Sequence, residues 1–477
     1  MAGLAKDGIV AVIGAGTMGA GIAQVAAAAG HRVLLHDAAP GAAGAGRERL
    51  GQGLSALAAK GRMETTAVQA ILDRIQVADS LENLAPAALV IEAIIERLDV
   101  KQGLFTRLES IVSPDTILAT NTSSLSVTAI AAALEHPSRM VGMHFFNPAP
   151  VMKLVEVISG LATSPEVAEL TLQTATAWGK VAVPARSTPG FIVNRVARAY
   201  YGEPLRLAEE GVADPATLDA LLTGGGGFRM GPFALMDLIG HDVNYAVSQS
   251  VFEAYHHEPR FRPSILQKEL VDAGRLGRKS GRGFFDYAEG AETPAPATVE
   301  ASGALLDPPV TLGGEDRRPG FMIALTDGRL SREREHEAGQ PVILHDLLDD
   351  GAKQKRVGFT ASPGITSEQK RAFVASLAAQ GIAATELPDW PGLVVMRTLA
   401  AIANEGFEAM LQQVADEAGI DNAMRFGVNY PKGPIAWARE IGLHRILSVL
   451  ESLQKQTGDM RYRPSFGLRR AVASAGL

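Results

Sequence analysis

Residues Ile9 to Asp37 read IVAVIGAGTMGAGIAQVAAAAGHRVLLHD. A short apolar run, Ile9 to Ile13, ends in Gly14-Ala15-Gly16-Thr17-Met18-Gly19, and an alanine-rich helical segment follows. A second apolar run, Val33 to Leu35, ends in His36-Asp37. Strand, glycine turn, helix and strand in this order form one βαβ unit and predict a parallel sheet. Gly14 permits the tight turn, Gly16 lets a pyrophosphate approach the backbone, and Gly19 lets the helix lie close on the strand. Thr17 and Met18 open the helix, whose N-terminus offers unpaired N–H groups and a positive dipole end to phosphates. Asp37 stands where the second strand ends, placed to accept from adenosine ribose hydroxyls and to repel a 2′-phosphate. The stretch predicts a dinucleotide site that prefers NAD to NADP.

The chain has 477 residues, enough for about three domains of ~150 each. Its 47% hydrophobic and 20% charged residues are those of a globular protein. A net charge of −7 argues against a nucleic-acid polymer as partner but leaves room for a small anionic ligand at a local basic patch. The absence of cysteine excludes disulfides, thiolate nucleophiles and Cys-based zinc sites, and no metal site is expected. The first eight residues lack a signal-peptide core, and no apolar run approaches the ~20 residues of a membrane helix, so the expectation is a cytoplasmic protein without membrane contact.

Working outward, residues 1–186 read as the NAD-binding, Rossmann-type domain. A helical hairpin (Gly41 to Gly61 and Met63 to Arg74) follows the second strand, with Lys60 and Arg62 at its turn. Further strands are expected at Gln76–Val77, Leu89–Ile95, Thr116–Thr120, Met140–Phe146, Val155–Ile158 and Val181–Val183, with a linker from Pro184 to Pro189. Asn121-Thr122-Ser123-Ser124 lies at the carboxyl end of one strand, the edge where ligands bind in open parallel sheets. Residues 187–287 read as an all-α domain opened by one long helix, Gly190 to Glu210, and closed by the basic, glycine-rich Gly277 to Tyr287. Residues 288–309 read as a linker rich in Ala, Pro, Glu and Thr. Residues 310–388 read as a small, degenerate α/β domain without a glycine fingerprint. Its strand-sized runs are Phe321–Leu325 and Val342–Leu344, and a helix spans Glu368–Gln380.

Residues 389–477 repeat the helical module. Pro189-Gly190-Phe191 matches Pro391-Gly392-Leu393, Gly231-Pro232 matches Gly433-Pro434, and Gly240 matches Gly442, each 202 residues on. Arg262-Pro263-Ser264 matches Arg463-Pro464-Ser465, 201 residues on. Matches holding one register over this length indicate a duplicated helical domain. Asn194 of the first copy is Met396 in the second, which suggests that only the first copy faces a site.

Oxidising an alcohol with NAD requires a base for the hydroxyl proton while hydride leaves for the nicotinamide. His144 stands near the end of a strand and Glu156 follows twelve residues later, after Asn147-Pro148-Ala149-Pro150. Imidazole ordinarily titrates near about pH 6.5, and a carboxylate on its other nitrogen fixes the tautomer. Ser123 and Asn147 can bind the substrate oxygen or the nicotinamide ribose. Spacing alone leaves open that His144 is a structural histidine.

The stretches Asn121-Thr122-Ser123-Ser124-Leu125 and His144-Phe145-Phe146-Asn147-Pro148-Ala149-Pro150-Val151-Met152-Lys153-Leu154-Val155-Glu156 closely resemble the short-chain L-3-hydroxyacyl-CoA dehydrogenase family. Pro189-Gly190-Phe191-Ile192-Val193-Asn194-Arg195 and Gly277 to Tyr287 resemble it too, so the likeness spans Gly8 to about Tyr287. The resemblance implies His144 as catalytic base, Glu156 as its partner, and Ser123 and Asn194 at the substrate's reacting end. It implies NAD contacts at Gly14, Gly16, Gly19, Asp37, Glu96, Lys101, Ser123 and Asn147, and an acyl-CoA thioester near Ser55, Lys60 and Arg62. The two-copy arrangement is similar to the longer 3-hydroxybutyryl-CoA and 3-hydroxyadipyl-CoA dehydrogenases of bacterial phenylacetate catabolism. It implies an internal pseudo-dimer of helical domains and leaves a further homodimer open. Competing expectations are a catalytically silent NAD-binding structural protein and a dehydrogenase of free 3-hydroxyacids, whose usual base is a lysine.

Overall fold

The structure is a computed structural model that describes residues 3–475. It divides into two compact units, one of Met1–Val193 with Gln413–Val428 and one of Asn194–Gln412 with Asn429–Leu477. Among the described residues no helix is long and apolar enough to cross a membrane.

The first unit is built on an eight-stranded sheet. Its strands are β1 (Ile9–Ile13), β2 (Val33–His36), β3 (Ile75–Val77), β4 (Ala87–Glu92), β5 (Ile117–Thr120), β6 (Met140–Phe145), β7 (Leu154–Ser159) and β8 (Val181–Arg186). Their spatial order is β3-β2-β1-β4-β5-β6-β7-β8. All neighbours are parallel except β6 and β7. Alternate strand residues such as Val10, Val12, Leu89, Ile91, Met143 and Phe145 enter one core cluster with Ile22 and Val25 of the Thr17–Ala28 helix. The strand order reverses between β1 and β4, so the glycine turn after β1 opens at the switch point where such sheets bind ligands. The hairpin after β2 is present as the Ala42–Ala59 and Thr65–Arg74 helices. Strand β8 runs through Pro184 to Arg186, past the expected start of the linker. It is an edge strand, where a residue without an N–H is tolerated.

The unit also contains the Glu417–Gly427 helix of the second helical copy. Its buried residues, Gly419, Ile420, Ala423, Met424 and Gly427, form one face, and the helix packs on β7 and β8. The Arg186 N–H donates to the Val414 carbonyl at 2.9 Å, extending this contact along the sheet edge.

The second unit carries the rest of both helical copies and a five-stranded sheet. The expected single helix from Gly190 to Glu210 is instead Val193–Val196 and Arg198–Glu209. Gly190 and Phe191 lie at φ +73° and +47°, outside helical space, and an i→i+3 bond from Tyr200 N–H to the Ala197 carbonyl tightens the chain between the two pieces. In the second copy Gly392 and Leu393 adopt φ +74° and +53°, and Gly240 and Gly442 share φ +100° and +102°, so the sequence register is also a backbone register. The Arg198–Glu209 helix packs on the Val395–Leu411 helix.

The small sheet comprises β9 (Glu315–Arg318), β10 (Phe321–Leu325), β11 (Val342–His345), β12 (Arg356–Ala361) and β13 (Ala383–Glu386). It is ordered β13-β12-β11-β10-β9. Strands β10/β11 are parallel, β11/β12 antiparallel and β12/β13 parallel. That is the pattern of β5 to β8, so the small sheet repeats the second half of the large one. His345 ends β11 opposite Phe359, as Met143 lies opposite Val157 202 residues earlier, so the residues equivalent to His144 and Glu156 are Asp346 and Gly358. Burial pushes the His345 imidazole down to about 4. The next residue, Asp346, accepts from the N–H groups of Val394, Val395 and Met396 at 2.7 to 2.9 Å.

Candidate active site

The turn after β1 shows why three of its positions are glycine. Gly14 adopts φ +98°, and a Cβ there would stand 2.4 Å from the Ala93 carbonyl oxygen. A Cβ on Gly19 would stand 1.7 Å from the Gly14 carbonyl oxygen, so only glycine lets the helix sit this close to β1. A Cβ on Gly16 would meet nothing within 4 Å, and the first turn of the Thr17–Ala28 helix has no side-chain cap. Thr17 is exposed and Met18 half-buried beside this opening. Asp37 accepts from Ala15 N–H at 2.7 Å and from Ala39 N–H at 2.9 Å, which holds its carboxylate against the turn. With Ala39, Gly41, Asp79 and Arg107 it lines a cavity of about 600 Å³. Bare N–H groups at a helix start, an open glycine and a carboxylate at the end of β2 fit a dinucleotide with free ribose hydroxyls.

Three strands along the sheet from β1, β6 runs antiparallel to β7 with His144 directly opposite Glu156. His144 Nδ1 lies 2.6 Å from Glu156 Oε2, and both side chains are buried. A carboxylate only accepts, so Nδ1 carries the proton and Nε2 is the basic nitrogen. The other carboxylate oxygen, Oε1, accepts from the N–H groups of Ile192 and Val193, each at 3.0 Å. Those two N–H groups converge because Phe191 is held at φ +47°. The Phe146 and Phe191 rings pack on the imidazole at centroid distances of 4.4 and 5.8 Å. Asn121 Oδ1 accepts from Phe145 N–H at 2.8 Å and fastens the end of β5 beside the pair.

A second polar cluster shapes the Thr122–Ser124 loop. Glu96 Oε1 accepts from the Thr122 hydroxyl at 2.5 Å, from Ser123 N–H at 2.9 Å and from Ser124 N–H at 3.1 Å. Lys101 Nζ reaches Glu92 at 2.5 Å and Glu96 at 3.2 Å. Burial pushes the Glu96 carboxyl up, but the Thr122 hydroxyl, the Lys101 ammonium and the Ser123 N–H outweigh it and hold the group below its ordinary range. Lys101 is only 1% exposed, so it meets the loop through Glu96. Glu92, fully buried, also accepts from Thr120 Oγ1 and Ile94 N–H, both at 2.7 Å.

The structure thus gathers Gly14, Gly16, Gly19 and Asp37 at one turn, and brings Glu96, Lys101 and Ser123 into one network. It joins His144 to Glu156. Asn147 is exposed just beyond β6. Ser55, Lys60 and Arg62 are exposed on the hairpin and its turn. Asn194 is the first residue of the second unit, and its carbonyl accepts from Arg198 Nε at 3.0 Å. Sequence reasoning noted Glu92 only as a strand end and gave Asn121 and Phe191 no part beside the pair. An acidic residue closing an apolar strand, nine residues before a lysine, was the available signal for Glu92. Nothing in the sequence gave away the left-handed conformation of Phe191.

The chain resembles known proteins over most of its length. Residues 9–188 match the 3-hydroxyacyl-CoA dehydrogenase NAD binding domain, and residues 190–287 and 392–476 both match the C-terminal domain of the same enzymes. Residues 323–391 match the 3-hydroxybutyryl-CoA dehydrogenase reduced Rossmann-fold domain. The chain is 45% identical over 474 residues to the 3-hydroxyadipyl-CoA dehydrogenase of Escherichia coli K12, covering 98% of each chain. It is 46% identical over 283 residues to a probable 3-hydroxybutyryl-CoA dehydrogenase of Bacillus subtilis, covering 59% of this chain and 97% of that one. The crystal structure of a 3-hydroxybutyryl-CoA dehydrogenase from Escherichia coli K12 superposes with a TM-score of 0.92 at 44% identity, covering 98% of each chain. A glycine turn built for a dinucleotide, a histidine–carboxylate pair on the same sheet and end-to-end likeness to these enzymes lead to one assignment: the chain belongs to the 3-hydroxyacyl-CoA dehydrogenase family.

Proposed function

We propose that this chain oxidises L-3-hydroxyacyl-CoA thioesters of the 3-hydroxybutyryl or 3-hydroxyadipyl kind to 3-oxoacyl-CoA, with His144 as the base. The observation that carries this reading is the buried 2.6 Å contact between His144 Nδ1 and Glu156, which leaves Nε2 to take the hydroxyl proton. The imidazolium so formed is stabilised by Glu156, whose negative charge is itself held in place by the Ile192 and Val193 N–H groups. NAD, when bound, accepts the hydride. Gly14, Gly16, Thr17, Met18, Gly19 and Asp37 hold its adenosine and pyrophosphate portion. Glu96 and Lys101 shape the loop that presents Ser123, and Ser123 and Asn147 serve the nicotinamide ribose. Ser123 and Asn194 orient the reacting carbon, while Ser55, Lys60 and Arg62 receive the coenzyme A moiety.

The proposal includes an internal pseudo-dimer, supported by the packing of the Arg198–Glu209 helix on the Val395–Leu411 helix, and a cytoplasmic location. A spectrophotometric assay of NADH formation with 3-hydroxybutyryl-CoA, 3-hydroxyadipyl-CoA and the free hydroxyacids tests it. Wild type turns over at least one thioester and not the free acids, and His144→Ala loses at least ~10²-fold in kcat while still binding NADH. Near-normal turnover by His144→Ala overturns the assignment of the base.

A further inference from the structure

The Glu417–Gly427 helix comes from the second helical copy, yet it packs on β7, the strand that carries Glu156. Its last residue, Gly427, is buried. A Cβ at this position would stand 2.6 Å from Leu154 Cδ2, 3.1 Å from Val193 Cγ2 and 3.7 Å from Phe146 Cε1. Each of these residues adjoins the histidine–carboxylate pair. Leu154 begins β7, two residues before Glu156. Val193 supplies one of the two N–H groups that hold Glu156 Oε1, and the Phe146 ring packs on His144.

The arrangement has a counterpart in the other half of the chain. The Pro215–Gly224 helix, equivalent to Glu417–Gly427 in the first copy, packs on β12 of the small sheet. Gly225 there lies as Gly427 does: a Cβ would stand 3.1 Å from Val395 Cγ2, and Val395 is the equivalent of Val193. Each sheet is therefore backed by a helix of the opposite helical copy. The two settings differ in one respect. Beside Gly427 stands Glu156 with His144, whereas β12 carries Gly358 where β7 carries Glu156.

We propose that Gly427, a residue of the second helical copy, is a positioning residue for the reaction, because it lets that helix seat Leu154, Val193 and Phe146 around the His144–Glu156 pair. The second copy then acts on chemistry through packing, without touching substrate. The inference rests on the assignment of His144 and Glu156 proposed above. Pushing Val193 away weakens its hydrogen bond to Glu156 Oε1, and the carboxylate charge shifts toward Oε2 and the imidazole. The imidazolium is then favoured, so the acid limb of the kcat profile moves to higher pH. Misplacing the pair also lowers kcat, while groups that bind thioester and cofactor elsewhere are untouched.

The test compares Gly427→Val with Gly225→Val, the same insult at the equivalent position, in the full-length protein well below the melting temperature of either. Gly427→Val is expected to lower kcat at least about tenfold and to move the acid limb upward, with KM for the thioester and for NAD within about twofold of wild type. Gly225→Val is expected to keep wild-type kcat and pH profile. Where the valine variant does not fold, Gly427→Ala, which adds only the methyl facing Leu154, is read by the same two measures and by the direction of the limb. An unchanged kcat and limb in the folded 427 variant, or an equal loss in Gly225→Val, overturns the proposal. His144→Ala, assayed alongside, separates the two readings. If it keeps turnover, the base assignment and this inference fall together. If it is inactive and the 427 variant behaves as wild type, only this inference falls.

Discussion

Arg195 Nε donates to Glu405 at 2.5 Å, and 202 residues further on Arg397 Nε donates to Glu203 at 3.0 Å. The two pairs exchange partners as a twofold axis requires: an arginine of each helical copy meets a glutamate of the other. All four side chains are at most 4% exposed. Arg397 also donates to both Glu210 oxygens and to the Tyr462 hydroxyl.

Removing Arg397 leaves Glu203 with Arg206 alone and takes the guanidinium away from Glu210, so buried negative charge loses much of its compensation. Arg397→Met should lower the unfolding free energy by about 3–5 kcal/mol, as read from the urea midpoint. The exposed Lys370–Glu386 pair provides the contrast, and Lys370→Met should stay within about 1 kcal/mol of wild type. Equal effects of the two substitutions would show that the pairing between copies contributes little.

The same cluster sets a response to acid. Burial pushes the Glu203 carboxyl up, but Arg206, Arg397 and the Tyr462 hydroxyl hold it below its ordinary value of 4.5. The unfolded chain therefore takes up this proton first as the pH drops. The stabilisation from Glu203 is full above about pH 4.5 and is lost as the pH falls through the lower folded value. Melting temperatures measured from neutrality downward should fall more gently in Glu203→Gln than in wild type over that acid range.

Glu156→Gln tests the carboxylate without changing its size. One oxygen must accept from Ile192 and Val193 while the other faces an imidazole N–H, so an amide places a donor against a donor on one side. We expect kcat to fall at least ~10²-fold, with NADH binding retained. Turnover within about threefold of wild type would remove Glu156 from the reaction.

Asp37 should select the cofactor. Its carboxylate is fastened to the glycine turn by Ala15 N–H and cannot easily swing aside from a 2′-phosphate. Like charges brought together this way cost several kcal/mol, so kcat/KM for NAD should exceed that for NADP by at least ~10²-fold. Comparable values would contradict the role given to Asp37.

What could be read from the sequence divides along physical lines. The first sheet was legible because each buried parallel strand is a short apolar run punctuated by glycine or a polar end, and the glycine turn fixed where it begins. Strand β8 outran its apolar run because an edge strand accepts Pro184. In the small sheet β10 and β11 were legible and three strands were not. Strand β9 is Glu-Asp-Arg-Arg, β12 carries a central glycine, and β13 is only Ala-Ala-Thr-Glu. The helical duplication was legible because its glycines and prolines keep their backbone angles. For the candidate site, twelve residues separate His144 and Glu156, and only the antiparallel register of β6 and β7 turns that spacing into contact. The parts played by Ile192 and Val193 depend on the left-handed Phe191, and a backbone angle of that kind in a bulky residue has no signature in composition or period.

Asp346, whose N–H donates to the Gly358 carbonyl at the end of β11, bears on stoichiometry. In the 202-residue register Asp346 stands where His144 does and Gly358 where Glu156 does, and the Asp346 carboxylate is occupied with three backbone N–H groups. Of the two equivalent strand pairs, only β6 and β7 therefore hold a histidine opposite a carboxylate. Calorimetric titration should then count one dinucleotide per polypeptide, and saturation should follow a plain hyperbola, because the small sheet offers the first no equivalent centre to couple to.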